Sequence, residues 1–161
     1  SNENVNIWRE HVRTSIVKTI LENAYPFVIR ERDASVKLKG KTVAVLCPPE
    51  EYHDVGARMA ADVFTLSGYN AIFVGGNTPQ RVVEGGLESG AIDYIAISVS
   101  NPYHLIATRN MIEGIRTQYP AVKVVVGGHA IDKIGERSLQ LGADYVVYSL
   151  GDISKLEEVQ A

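Results

Sequence analysis

The chain has 161 residues, 45% of them apolar and 22% charged, which suits one domain with a substantial buried core. A net charge of −3 leaves no basic field to hold a nucleic-acid backbone, and the only cysteine, Cys47, excludes an intrachain disulfide or a cysteine-rich metal cluster. No stretch reads as a signal peptide or as an apolar run of membrane length, so a cytoplasmic location without membrane or nucleic-acid partners is expected.

In chain order, Val5, Trp8, Val12, Ile16, Ile20 and Ala24 recur at spacings of three and four, which predicts an amphipathic helix with Val17 and Leu21 on the same broad face. Pro26 is expected to end or bend it, and a polar connector runs from Arg30 to Gly40. The bases of that connector alternate with acids and apolar residues, as in a solvated link.

From Lys41 onward, short β-branched runs alternate with helical patterns. The runs are 42–47, 71–75, 92–98, 122–127 and 144–149, each apolar on both faces as a buried parallel strand must be. Helices are predicted over 55–67, 79–89, 105–119 and 131–141, with a last one from Ile153. The alternation implies an α/β fold: a flavodoxin- or Rossmann-like five-stranded parallel sheet, doubly wound, with an N-terminal helical extension. Residues 1–36 form the helical segment and connector, and 37–161 the ligand domain.

Ligands of such sheets bind beyond the carboxyl ends of the strands. The loops leaving those ends here are "CPPEEYHDVG", "GGNTP", "SVSNPYH" and "GGHA". A nicotinamide site wants G-x-G-x-x-G after the first strand, but Pro-Pro-Glu-Glu stands there, and no phosphate loop occurs. A phosphoacceptor receiver needs an aspartate after the third strand and a lysine after the fifth, where this chain has Ser98 and Tyr148. What remains is His53 with Glu51 two residues before it. A neutral imidazole is a common metal ligand, and a carboxylate can fix its tautomer through the second nitrogen. One histidine cannot hold a bare ion, so a metal there would have to arrive already held in an organic ring.

The residues Glu51-Tyr52-His53-Asp54-Val55-Gly56 resemble the [D/E]-x-H-x-x-G motif of cobalamin-binding domains. Ser98 resembles the serine of their S-x-L motif, Gly127-Gly128 their G-G motif, and "GGNTP" the segment after their second strand. The resemblance covers roughly 41–158 and keeps the order of all four signals. It implies cobalamin, with a methyl or adenosyl upper ligand, bound base-off with His53 as the lower axial ligand of cobalt. Glu51 would orient His53, Gly56 would let the helix approach the nucleotide tail, Ser98 would bond the buried base, and Gly127 and Gly128 would line its slot. Asp54 is expected mainly to cap the first helix, and His129 could touch the corrin side chains, as could His104.

Two positions depart from the pattern. Glu51 replaces the commoner aspartate, which adds a methylene and is expected to loosen the hydrogen bond. Ser100 replaces the S-x-L leucine. Glu10-His11 resembles the Glu-His helix in the cap of light-sensing cobalamin regulators, although the tryptophan offset differs and one helix cannot make their four-helix cap. The upper corrin face would then be covered by a protein partner or a second copy. The implied function is a cofactor-binding sensor or carrier without catalytic residues of its own. A corrinoid subunit of a methyltransferase system and a cofactor-free flavodoxin-like interaction domain are the alternatives.

Overall fold

The computed structural model describes residues 2–156. Helix α1 (Asn2–Ser35) leads into β1 (Thr42–Leu46), α2 (Val55–Leu66), β2 (Asn70–Gly75), α3 (Gln80–Leu87), β3 (Tyr94–Ser98), α4 (Leu105–Gln118), β4 (Lys123–Gly127), α5 (His129–Ile134) and β5 (Tyr145–Val147). The five strands are all parallel in the order β2-β1-β3-β4-β5, so the chain reverses direction across the sheet between β1 and β3.

Alternate residues of each strand feed two apolar layers, as the two-residue period of a pleated strand requires. Ala44, Leu46, Ile95, Ile97, Val124 and Val126 pack with Val83, Met111, Ile112 and Ile131 from α3, α4 and α5. Val43, Val45, Ala96, Val125 and Val147 pack on the other face with Ala57, Ala61 and Phe64 of α2 and with Ile153. A doubly wound sheet is what the runs of 42–47 to 144–149 predict.

Four elements depart most from their predicted extents. Helix α1 does not end at Pro26 but continues to Ser35, leaving a much shorter connector. An interior proline costs about 3 kcal/mol, and contacts on both sides of it hold the helix. Lys18 and Glu22 bond to α2, while Val28, Ile29 and Arg32 are half-buried further along. The region 131–141 is a short α-helix followed by a 3-10 segment, Gly135–Leu141, because Gly135 turns to φ 54°. Strand β5 stops at Val147 because the Asp152 carboxylate accepts the N–H groups of Tyr148 and Ser149 at 3.1 and 2.8 Å. Ser149 and Asp152 form a capping box that starts a 3-10 segment, Leu150–Lys155, and the helix expected from Ile153 lies, beyond residue 156, outside the described residues.

Of the predicted apolar face of α1 only Leu21 and Ala24 are packed. Half-buried positions are Thr14, Lys18, Leu21, Ala24, Val28 and Arg32, whereas Trp8 and Ile20 are 68% and 60% exposed. Lys18 meets α2 at its first turn, and the chain just past α1 meets its other end, where Lys39 donates to the Gly68 carbonyl at 2.9 Å. The residues before Lys18 therefore carry about four helical turns past the carboxyl edge of the sheet.

Candidate functional site

Glu51 is the centre of the carboxyl edge. It lies in the loop after β1 and is completely buried. Its Oε1 accepts the backbone N–H of His53 at 3.1 Å and sits 3.0 Å from His53 Nδ1. Its Oε2 accepts the N–H groups of Ser100 and Asn101, from the loop after β3, at 3.1 and 2.9 Å. One carboxylate thus ties together the two loops flanking the reversal between β1 and β3, where open parallel sheets bind ligands. Burial would raise its pKa, but the hydrogen bonds from Asn101, His53 and Ser100 outweigh that and hold it below the ordinary glutamate value. The added methylene does not loosen the contact to His53. It gives the carboxylate reach to both loops.

An ionised carboxylate only accepts, so the proton of His53 sits on Nδ1 and Nε2 carries the free lone pair. The ring is 66% exposed, and Nε2 makes no hydrogen bond among the described residues. Ser100 adds a second tie, its hydroxyl donating to the His53 carbonyl at 3.3 Å. The "GGNTP" loop is the scaffold beneath. Asn77 Oδ1 accepts Glu50 N–H at 2.9 Å, the Asn77 N–H donates to the Glu51 carbonyl at 2.8 Å, and Thr78 N–H donates to the Cys47 carbonyl at 3.1 Å. A Cβ on Gly76 would lie 3.1 Å from the Glu51 carbonyl, so glycine admits this close approach.

Asp54 does not act as predicted. It occupies the N-cap position of α2, but its side chain makes no capping bond. It forms an ion pair instead with Lys18 Nζ of α1 at 2.7 Å. Next to it Arg58 bonds Glu22 at 2.8 Å and lies over the rings of Tyr25 and Phe73. These contacts fix α1 to the turn that carries His53.

A cavity of about 400 Å³ opens at the same edge, between the sheet, α2 and the 3-10 segment Leu150–Lys155. Its buried floor is wholly apolar: Val45, Phe64, Ala96, Val125, Val147 and Ile153. Its polar side chains, including Ser98, His129 and Asp132, stand at the more exposed mouth. The Ser98 hydroxyl has no partner among the described residues. Gly56 lines the cavity, and a Cβ there would meet only Ser98 Oγ, at 3.8 Å, so the glycine keeps space open rather than relieving a clash. Gly127 and Gly128 have a further task. A Cβ on Gly128, at φ 107°, would come within 2.6 Å of the Val99 carbonyl, and one on Gly127 within 3.0 Å of the Val147 carbonyl.

The structure thus brings Gly56, Ser98, Gly127, Gly128 and His129 to the cavity, and Glu51, His53 and Ser100 to the carboxylate clamp beside it. Tyr52 is 68% exposed, and neither it nor Val55 lines the cavity. His104 lies with Nε2 3.9 Å from Glu51 Oε2. Sequence reasoning missed the backbone of Asn101, whose role no side chain announces, and Lys18, which lies far away in the chain. It also missed the C-terminal wall, although Ser149-x-x-Asp152 is a readable helix start. Cys47 is a small buried residue, its thiol pushed up to about 12 by burial and then by the charges of Asp54 and Glu51.

Comparison with known proteins agrees with this geometry. A family model for the B12 binding domain matches residues 41–155. No curated protein matches the chain. Among solved structures it is similar to a cobalamin-binding protein from Desulfitobacterium hafniense DCB-2, at 18% identity and TM-score 0.68, over 77% of this chain and 60% of that one. It is similar to the monomethylamine corrinoid protein of Methanosarcina barkeri, at 14% identity and TM-score 0.71, over 88% of this chain and 65% of that one. It also resembles a chain of the methanol:cobalamin methyltransferase complex MtaBC from the same organism, at 15% identity and TM-score 0.63, over 81% of this chain and 50% of that one. The chain therefore spans less than two thirds of each of these proteins. The family match runs from Lys41, just before β1, to Lys155, and the chain belongs to the B12-binding domain family, with cobalamin as its cofactor.

Proposed function

We propose that residues 37–161 hold cobalamin with His53 as the lower axial ligand and the nucleotide tail detached from cobalt and sunk in the apolar cavity, and that the chain presents the upper corrin face to a protein partner. The observation that carries this reading is the Glu51–His53 pair. It commits one ring nitrogen to the carboxylate and leaves the other free on an exposed loop, at the same sheet edge where a cavity of about 400 Å³ opens.

The residues fit the cofactor. An imidazole held through Nδ1 offers Nε2 to a metal, and a carboxylate in that position raises ligand basicity. Gly56 and the unpartnered hydroxyl of Ser98 leave a cradle that any larger side chain at position 56 would begin to fill. Bound there, the corrin supplies the organometallic chemistry of cobalt. The chain supplies the rest: Glu51 fixes the tautomer and ring plane of His53, Ser100 holds the loop, and the apolar floor keeps water from the buried base.

A carrier that hands groups to a partner enzyme is favoured by the resemblance to a monomethylamine corrinoid protein and to a chain of a methanol:cobalamin methyltransferase complex. A sensor is the second reading. It is favoured by Glu10 and His11, which lie on the part of α1 that rises past the site edge.

The test is spectroscopic. Hydroxocobalamin added to the apo-protein should shift the visible spectrum, and reduction to Co(II) should give an electron paramagnetic resonance signal split by one axial nitrogen. Labelling the protein with 15N-histidine should change that splitting from three lines to two, and His53→Ala should abolish the change. A splitting indifferent to the label would remove His53 from cobalt.

A further inference from the structure

The distribution of polar groups in the cavity bears on which cobamide the chain selects. Cobamides share the corrin and differ in the base of the tail, which is a benzimidazole, a purine or a phenol. The floor offers such a base six apolar side chains, Val45, Phe64, Ala96, Val125, Val147 and Ile153, none more than 8% exposed. Its backbone is also occupied: Val45, Ala96 and Val125 lie opposite one another in the parallel ladder, and Val125 continues to Tyr145. No floor side chain can donate or accept, and the backbone of these three strand residues is already paired. The polar side chains stand at the mouth, beside the sheet edge, where His129 can donate to a phosphate, Asp132 can accept from a sugar hydroxyl and Ser98 borders the base.

We infer that the cavity selects cobamides with an apolar lower base and discriminates against those carrying adenine. The inference rests on the cobalamin reading above and specifies its ligand. Cresol presents carbon alone, and dimethylbenzimidazole presents carbon apart from one ring nitrogen, which the unpartnered Ser98 hydroxyl at the mouth can meet. Adenine presents an exocyclic amine and ring nitrogens, which would lose their water and find no partner, and a buried polar group left unpaired is costly. Because the base does not ligate cobalt in this mode, its metal affinity drops out and the cavity alone decides.

Equilibrium dialysis of the apo-protein against three cobamides with dimethylbenzimidazole, p-cresol or adenine, with tailless cobinamide as reference, tests this. The adenine form should bind roughly 10- to 100-fold more weakly than the dimethylbenzimidazole form. The cresol form should stay closer to dimethylbenzimidazole than to adenine. Ala96→Ser, or Val147→Thr should Ala96→Ser fail to fold, adds a hydroxyl to the floor and should narrow the gap. Equal affinity for the adenine and benzimidazole forms overturns the inference while leaving cobalamin binding intact. Binding no better than cobinamide for any tail overturns it along with the buried-tail reading, and no binding of any corrinoid overturns the cofactor assignment itself.

Discussion

At the scale of residues, Glu51 decides whether the site exists. Three backbone N–H groups and one imidazole converge on a carboxylate without solvent exposure. In Glu51→Gln the amide turns a donor toward those donors. We expect a loss of about 2 kcal/mol in stability, read by denaturant titration, and cobalamin affinity lower by 10- to 100-fold, read by dialysis. The pH dependence follows from the lowered pKa. A carboxylate whose pKa is depressed by folding contributes stability above its unfolded value, near 4.3, and loses it as pH falls through the lower folded value. An acid titration of the native protein should therefore show a stability loss beginning below about pH 4.3 that is flatter in Glu51→Gln. Equal slopes would mean that folding does not shift the Glu51 pKa.

At the scale of elements, Gly56 separates folding from binding. It lies in the first turn of α2, and a Cβ there meets only one atom, at an ordinary contact distance. Gly56→Ala should leave stability unchanged or raise it by up to about 1 kcal/mol through helix propensity, yet weaken cobalamin binding by narrowing the cradle. Gly128→Ala should do the opposite in kind, destabilising the chain by about 3 kcal/mol because its Cβ would strike the Val99 carbonyl. Melting curves with and without cobalamin distinguish the two glycines. The same contrast explains what the sequence made legible. Periodicity revealed the strands and their order in the chain, and local spacing placed His53, Gly56, Ser98 and the glycine pair at one edge. It did not reveal that Asp54 turns from its cap to Lys18, because that choice is made by a helix packed from some thirty-six residues upstream. Nor could it tell which face of α1 packs, since the apolar stripe through Val5, Trp8, Val12 and Ile16 faces outward and the packed face is held largely by charge.

At the scale of the whole molecule, Cys47 reports whether the site and the core open together. It sits at the end of β1, fully buried, within the apolar layer that also forms the floor of the cavity. Burial pushes its thiol up to about 12, so at pH 8 the native side chain is both shielded and protonated, and only an opened state can react with a disulfide reagent. The sign is that of a raised pKa: the stabilisation is complete below the unfolded thiol value near 8.5 and is lost as pH climbs from there through about 12. A ligand that binds only the folded state suppresses opening in proportion to its saturation. Cobalamin at 100 times its Kd should therefore slow the labelling of Cys47 about 100-fold if the reactive state is one that cannot bind it. Labelling followed at pH 8, with and without cobalamin, measures this directly. A rate that cobalamin leaves unchanged would show that Cys47 becomes accessible through a local opening in which the cavity and its carboxylate clamp stay closed.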